Sequence, residues 1–187
     1  HAHLYKGIPT QTGMGGGSSD ATYMLMMLNE LCSLGLSPSQ LAIYARKLGA
    51  DCAFFLHHKP CYAEGIGDQL SPISLDLQGM HIVIVRPNIS VSTKEAYSMV
   101  TPRRPRQNCR NIVEQPIENW KELLVNDFEA SVFKIYPEIG HIKEQLYQKG
   151  AIYAAMSGSG SAVYGIFRQP ANLQKDFPDM FIRCILL

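Results

Sequence analysis

Apolar and polar positions along the 187 residues switch between a helical and a strand-like period, and the switches outline a chain of short alternating elements. Residues 1–6 read as the end of a strand. Residues 21–34 carry apolar side chains all round, the pattern of a buried helix. Ser37-Pro38-Ser39-Gln40 has the spacing of a capping box with proline at the first helical position, which predicts a helix to about Leu48, stopped by Gly49. Residues 49–55 follow as a turn. Strands are predicted at 60–65, 69–73 and 81–86, the last rich in Val and Ile, and a short helix near Ser92 to Glu95.

Residues 101–110 turn to proline, arginine and asparagine and predict an exposed loop. Two helices are expected beyond it, at 120–136 and 137–149, with Gly150 as the stop. Residues 151–156 and 161–167 read as paired strands joined through Ser157-Gly158-Ser159-Gly160. A helix near Ala171 and a strand at 180–187 complete the series. The sum is an α+β chain, a two-layer sandwich of helices on sheet, with no internal repeat.

Length and apolar content suffice for one domain or two small ones. The net charge of +1 gives no general attraction to nucleic acid or to an acidic membrane surface, so neither is expected as a partner. Apolar runs are broken well before membrane-spanning length, and the protein is expected in the cytosol. Five cysteines, widely spaced and without a Cys-x-x-Cys pair, argue against a disulfide framework and against a zinc site. No Met opens the chain, and its first residues lie inside the expected strand, so the natural protein is expected to begin earlier.

The chemistry concentrates in residues 6–20, where five glycines and the hydroxyls of Ser18 and Ser19 run directly into a helical pattern. Glycine permits backbone conformations closed to other residues, so that a row of N–H groups can converge on an anion, and the start of a helix adds unpaired N–H groups and a positive dipole end. The loop has neither the Gly-Lys-Ser/Thr ending of a P-loop nor a dinucleotide fingerprint. A flexible linker is the competing reading, and the flanking strand and helix patterns weigh against it.

This loop, together with Leu48-Gly49-Ala50-Asp51-Cys52-Ala53-Phe54-Phe55 and Met156-Ser157-Gly158-Ser159-Gly160-Ser161-Ala162-Val163-Tyr164, resembles the three later motifs of the GHMP small-molecule kinases. Lys6-x-Ile8-Pro9, Gly49-Ala50-Asp51 and the run from Tyr62 to Pro72 follow an order that mevalonate, homoserine and galactose kinases are not expected to share. The match covers nearly the whole chain, strongly over 6–72 and 155–167 and weakly over 101–138.

The resemblance implies a GHMP-like α/β sandwich in which 1–75 is the remainder of an N-terminal domain and 76–187 a C-terminal domain. It implies ATP with Mg2+ and a small-molecule alcohol as ligands. Pro9, Thr10, Gln11, Thr12, Gly13, Met14, Gly15, Gly16, Gly17, Ser18 and Ser19 are then the nucleotide-binding residues, with Ser18 or Ser19 near the magnesium ion. Asp51 is the catalytic base, its carboxylate partly desolvated by the apolar residues beside it; a helix cap or turn former is the ordinary alternative. Ser157, Gly158, Ser159 and Gly160 support the substrate or the phosphate loop, where spacing alone suggests a plain hairpin turn. Thr93 is a substrate contact by resemblance and a helix cap by position. Tyr5 and Lys6 lie where the family's chain passes the nucleotide.

The family also places a catalytic lysine and a substrate-orienting asparagine on N-terminal strands that this sequence lacks, which implies that this polypeptide alone is catalytically crippled. Exposed sheet edges would then favour association, and the oligomeric state is left open. Another GHMP kinase of small alcohols and a non-catalytic nucleotide-binding module remain alternatives. His57-His58 is not expected to bind metal, since adjacent side chains seldom point at one ion, and Arg103, Arg104, Arg106 and Arg110 are expected to be solvated.

Overall fold

The computed structural model describes residues 1–101 and 107–187. The expectations for Arg103, Arg104 and Arg106 therefore lie outside the described residues. The chain divides into two compact units, one of His1–Thr10 with Gly15–Ser74 and a second of Gln11–Met14 with Leu75–Leu187. No helix among the described residues is long and apolar enough to cross a membrane.

The first unit contains helices α1 (Gly16–Leu31) and α2 (Pro38–Leu48), a 3-10 helix (Ala50–Leu56) and the strands β1 (Cys61–Glu64) and β2 (Gln69–Pro72). Helix α2 starts as the capping box requires. The Ser37 hydroxyl accepts the Gln40 N–H, and the Ser37 N–H donates to the Gln40 side chain at 2.9 Å, with Pro38 at the first helical position. β1 and β2 form an antiparallel hairpin from Cys61↔Pro72 to Glu64↔Gln69. The residues expected to turn after Gly49 wind instead into the 3-10 helix.

Two expectations fail in this unit. Residues 1–6 form no strand, because no described segment offers the ladder partners that a strand's N–H and C=O groups need. Helix α1 begins five residues before the predicted start, and it is not buried: Thr22 is its one buried residue, while Tyr23, Met27, Leu28 and Leu31 are exposed. Its packed face rests on α2 and the 3-10 helix. The apolar side chains on its other faces meet no covering element of the unit.

Thr22 holds this packing. Its hydroxyl, fully buried, is shared between the carbonyl of Ser18 at 2.8 Å in its own helix and that of Cys52 at 2.9 Å in the 3-10 helix. A buried carbonyl left without its donor is costly, so this one side chain locks the first turn of α1 to the segment that carries Asp51.

The second unit is built on a four-stranded antiparallel sheet in the order β4-β5-β3-β6, with β3 (His81–Arg86), β4 (Tyr153–Met156), β5 (Val163–Phe167) and β6 (Phe181–Leu186). Val83 pairs with Gly165 on one side and Cys184 on the other. Around the sheet lie α3 (Thr93–Met99), α4 (Cys109–Val113), α5 (Trp120–Leu123), α6 (Glu129–Ile135) and α7 (Pro137–Gln148). Alternate residues of β4 enter different cores: Ala154 and Met156 join Val83, Ile139, Ile142 and Leu146, while Tyr153 and Ala155 join Trp120 and Ile166. All four β4 residues are therefore buried, since both faces of the strand are covered.

The helix expected over 120–136 is interrupted. Leu124 takes an extended conformation, and the Asn126 side-chain oxygen captures the Phe128 N–H at 3.0 Å, so that α5 ends and α6 starts afresh. Short polar side chains compete with the helix for backbone partners, and here Asn126 wins. The helix expected near Ala171 is absent for the same kind of reason. Asn172 accepts the Gln174 N–H, and the segment runs in turns to β6.

Thr22→Val is expected to lower the stability measured by urea denaturation by about 1–2 kcal/mol, since it removes a shared donor with little change of shape. A second expectation concerns alkaline pH. Burial holds the Tyr147, Tyr153 and Tyr164 hydroxyls above their ordinary value of 10.0. The unfolded chain therefore releases these protons first, so this contribution is complete below about pH 10 and is lost as pH rises beyond it. Urea midpoints measured on either side of pH 10 should fall with pH, less steeply in Tyr153→Phe.

Candidate functional site

In the first unit the glycine run becomes the mouth of α1. Gly15, the N-cap, lies in the left-handed region at φ 65, and a β-carbon there would stand 2.9 Å from the Phe55 ring. Both the conformation and the neighbour demand glycine at this position. Gly16, Gly17, Ser18 and Ser19 form the first turn, with no side chain capping its N–H groups and no acidic residue among them. A β-carbon on Gly17 would meet nothing within 4 Å. Lys6 forms an ion pair with Asp20, both side chains about one-third exposed, which closes the loop between them. Pro9 is half-buried and Thr10 exposed, while Tyr5 is 94% exposed.

Asp51 sits in the first turn of the 3-10 helix, two residues after the extended Gly49. A β-carbon on Gly49 would lie 3.9 Å from the Ser18 hydroxyl oxygen, so the aspartate segment and the helix mouth are neighbours. The expected desolvation of Asp51 is not observed. The 3-10 turn directs Cys52 and Ala53 inward, each 1% exposed, and leaves Asp51 exposed on the outside. Among the described residues its carboxylate has no hydrogen-bond or ion-pair partner. A β-carbon on Gly67, at φ 100 in the hairpin turn, would come within 3.3 Å of Asp51 Oδ1, so glycine keeps that side of the carboxylate open.

Residues Gln11–Met14 belong to the second unit and pack on the connection between β4 and β5. The carbonyl of buried Thr12 accepts the Ala162 N–H at 3.1 Å, and the Ser157 hydroxyl donates to the Gly13 carbonyl at 3.0 Å. The approach is so close that a β-carbon on Gly13 would lie 1.9 Å from the Ser157 carbonyl oxygen and 2.9 Å from the Gly160 nitrogen. One on Gly158 would stand 2.8 Å from the Gly13 carbonyl oxygen. Thr93 opens α3 without any side-chain capping bond from Ser92, and its hydroxyl lies 3.4 Å from that of Ser159. Thr93, Ser157, Gly158, Ser159 and Gly160 are thus gathered in one place with Thr12 and Gly13.

His57 and His58 are exposed, with His58 Nδ1 3.4 Å from the Tyr23 hydroxyl. The described residues hold no group of 3 or more His, Cys, Asp or Glu side chains able to bind a metal ion. Sequence reasoning missed Thr22, Gly67, Asn126 and Glu129. A polar Asn-Asp pair interrupting a helical pattern was the available signal for Asn126, whereas nothing marks Thr22 in an apolar helix as a staple.

The family model described as GHMP kinases N terminal domain matches residues 1–59, and that described as GHMP kinases C terminal matches residues 109–182. A curated relative from Bacteroides thetaiotaomicron, named 4-diphosphocytidyl-2-C-methyl-D-erythritol kinase, is 53% identical over 171 residues, covering 91% of this chain and 62% of its own length. A relative of the same name from Parabacteroides distasonis is 47% identical, covering 96% of this chain and 67% of its own length. The chain thus spans somewhat under or about two-thirds of these relatives. A crystal structure of 4-(cytidine 5'-diphospho)-2C-methyl-D-erythritol kinase superposes with a TM-score of 0.80 at 30% identity, over 97% of this chain and 69% of that one. The Methanococcus jannaschii mevalonate kinase structure, at 13% identity and a TM-score of 0.68 over 96% of this chain and 66% of that one, shares the fold. With motifs, architecture and relatives in agreement, the chain belongs to the GHMP kinases.

Proposed function

We propose that the full-length gene product is an ATP-dependent kinase that phosphorylates the 2-hydroxyl of 4-diphosphocytidyl-2-C-methyl-D-erythritol, a step of non-mevalonate isoprenoid precursor synthesis carried out in the cytoplasm. Residues 1–75 are assigned to its N-terminal domain and 76–187 to its C-terminal domain. The substrate class comes from the names of the relatives. The single observation that carries the phosphate-binding part is Gly17. Glycine in the first turn of a helix costs stability relative to alanine, and no neighbour of Gly17 would obstruct a β-carbon. Packing does not require glycine there, whereas close approach of a phosphate to the backbone does.

In this reading residues 9–19 bind the nucleotide. The N–H groups at the mouth of α1 hold phosphate oxygens, and the left-handed Gly13 and Gly15 shape the loop around them. Asp51 takes the proton of the acceptor hydroxyl as its oxygen bonds to the γ-phosphorus and the bond to the β–γ bridging oxygen breaks. An exposed carboxylate without a partner among the described residues supports that role. Thr93 and residues 157–160 support the loop and the substrate.

Mg2+ usually keeps several waters and is held largely by the phosphates of its nucleotide, and the hydroxyl of Ser18 or Ser19, in the first turn of α1, would be its protein ligand. When bound, the ion would offset phosphate charge during transfer.

Asp51→Asn in the full-length protein is expected to lower kcat by about 100-fold or more while leaving the KM for ATP within about threefold. Unchanged turnover would overturn the assignment of the base. Gly17→Ala is expected to raise stability by about 0.5–1 kcal/mol and at the same time weaken ATP binding measured by calorimetry. A stabilised variant that binds ATP as tightly as wild type would remove the main support for the phosphate-binding role.

A further inference from the structure

The backbone of Met156 leaves the sheet with both of its polar groups in the hands of side chains from one short segment. The Met156 N–H donates to Glu129 Oε1 at 2.8 Å, and the Met156 carbonyl accepts from the Asn126 side-chain amide, also at 2.8 Å. The same amide donates its second hydrogen to the Gly158 carbonyl at 2.8 Å, and Asn126 Oδ1 takes the Phe128 N–H at 3.0 Å. Glu129 is 6% exposed, and its other oxygen meets Lys143 Nζ at 2.5 Å. A buried carboxylate is tolerated only when paired and hydrogen-bonded, and this one is both. Asn126 and Glu129 therefore span the stretch from Met156 to Gly158, the stretch whose Ser157 carbonyl and Gly158 backbone stand against Gly13.

We infer that Asn126 and Glu129 are positioning residues for the phosphate loop: they set the height of the Ser157–Gly158 backbone, against which Thr12 and Gly13 are seated. The inference rests on the nucleotide-binding reading of residues 9–19 and adds to it two residues that touch neither ligand. The geometry makes the amide of Asn126 irreplaceable by its isostere. Aspartate has the same shape but presents oxygens to two carbonyl oxygens, so repulsion replaces two hydrogen bonds. At Glu129 what matters is the acceptor for Met156. Glutamine can supply it, provided that the Lys143 cation is removed along with the charge that pairs it.

The test compares Asn126→Asp, Asn126→Ala, Glu129→Ala and the double variant Glu129→Gln with Lys143→Met, all in the full-length protein. Two quantities are read: ATP affinity by calorimetry without acceptor, and amide hydrogen exchange without nucleotide. Asn126→Asp, Asn126→Ala and Glu129→Ala are expected to weaken ATP binding about tenfold and to speed exchange at Gly160 and Ala162 about tenfold or more, with Val83 and Val85 unchanged. The double variant should stay within about threefold of wild type in both. Wild-type affinity in Asn126→Asp, or acceleration that extends equally to Val83 and Val85, would overturn the inference and leave the two residues a role in stability alone. Should one Asn126 variant fail to fold, Glu129→Ala against its double-variant rescue decides the question. A wild-type protein that phosphorylates no acceptor would overturn the kinase reading, and the exchange pattern would still decide the positioning role.

Discussion

A peptide carbonyl and a glycine α-carbon are pressed together where Ser157 meets Gly13, with no space for even one methyl group between them. The contact requires a left-handed glycine on one side and a connection of small residues on the other, and it is closed by a hydroxyl bond from Ser157 to the Gly13 carbonyl. Much of the second unit serves to place that connection. The strands β4 and β5 that lead into and out of it are buried between two cores, and side chains from the break between α5 and α6 take up the polar groups of Met156. Between strands covered on both faces and bonded at its start, the connection is a fixed backing against which Thr12 and Gly13 are seated.

The first unit is held together by a different device. A single buried hydroxyl on α1 reaches carbonyls of two helices, so the helix mouth and the turn bearing Asp51 are held by one threonine. Around Asp51 the structure supplies space in place of apolar burial, with Gly67 standing where a side chain would crowd the carboxylate. The aspartate is left exposed, and among the described residues its carboxylate has no partner. The open faces of α1 show the limit of what this unit covers by itself, since side chains as large as Tyr23 and Leu31 lie exposed there.

Local signals were legible wherever the chain's own neighbours supply the physics. The capping box at Ser37, the stop at Gly49, the hairpin from β1 to β2 and the pairing of β4 with β5 all follow from interactions within a few residues or from a period-2 pattern. The helix over 120–136 was misread because its apolar period is continuous while Asn126 is engaged elsewhere: two of its bonds go to residues 30 and 32 positions away. The strand at 1–6 failed because strands, unlike helices, need a partner from outside the segment. The desolvation of Asp51 failed because apolar neighbours in sequence do not say on which side of a turn a carboxylate emerges.

The order of residues along the chain thus specified the elements, the glycine-rich mouth of α1 and the family to which these motifs belong, since propensity, capping and motif spacing act within short windows. Only folding in three dimensions decided that Gly13 sits against Ser157, that Thr22 joins two helices and that Asn126 and Glu129 grip the end of β4. Those contacts join residues tens of positions apart, and their energies depend on distances and burial that no local pattern encodes.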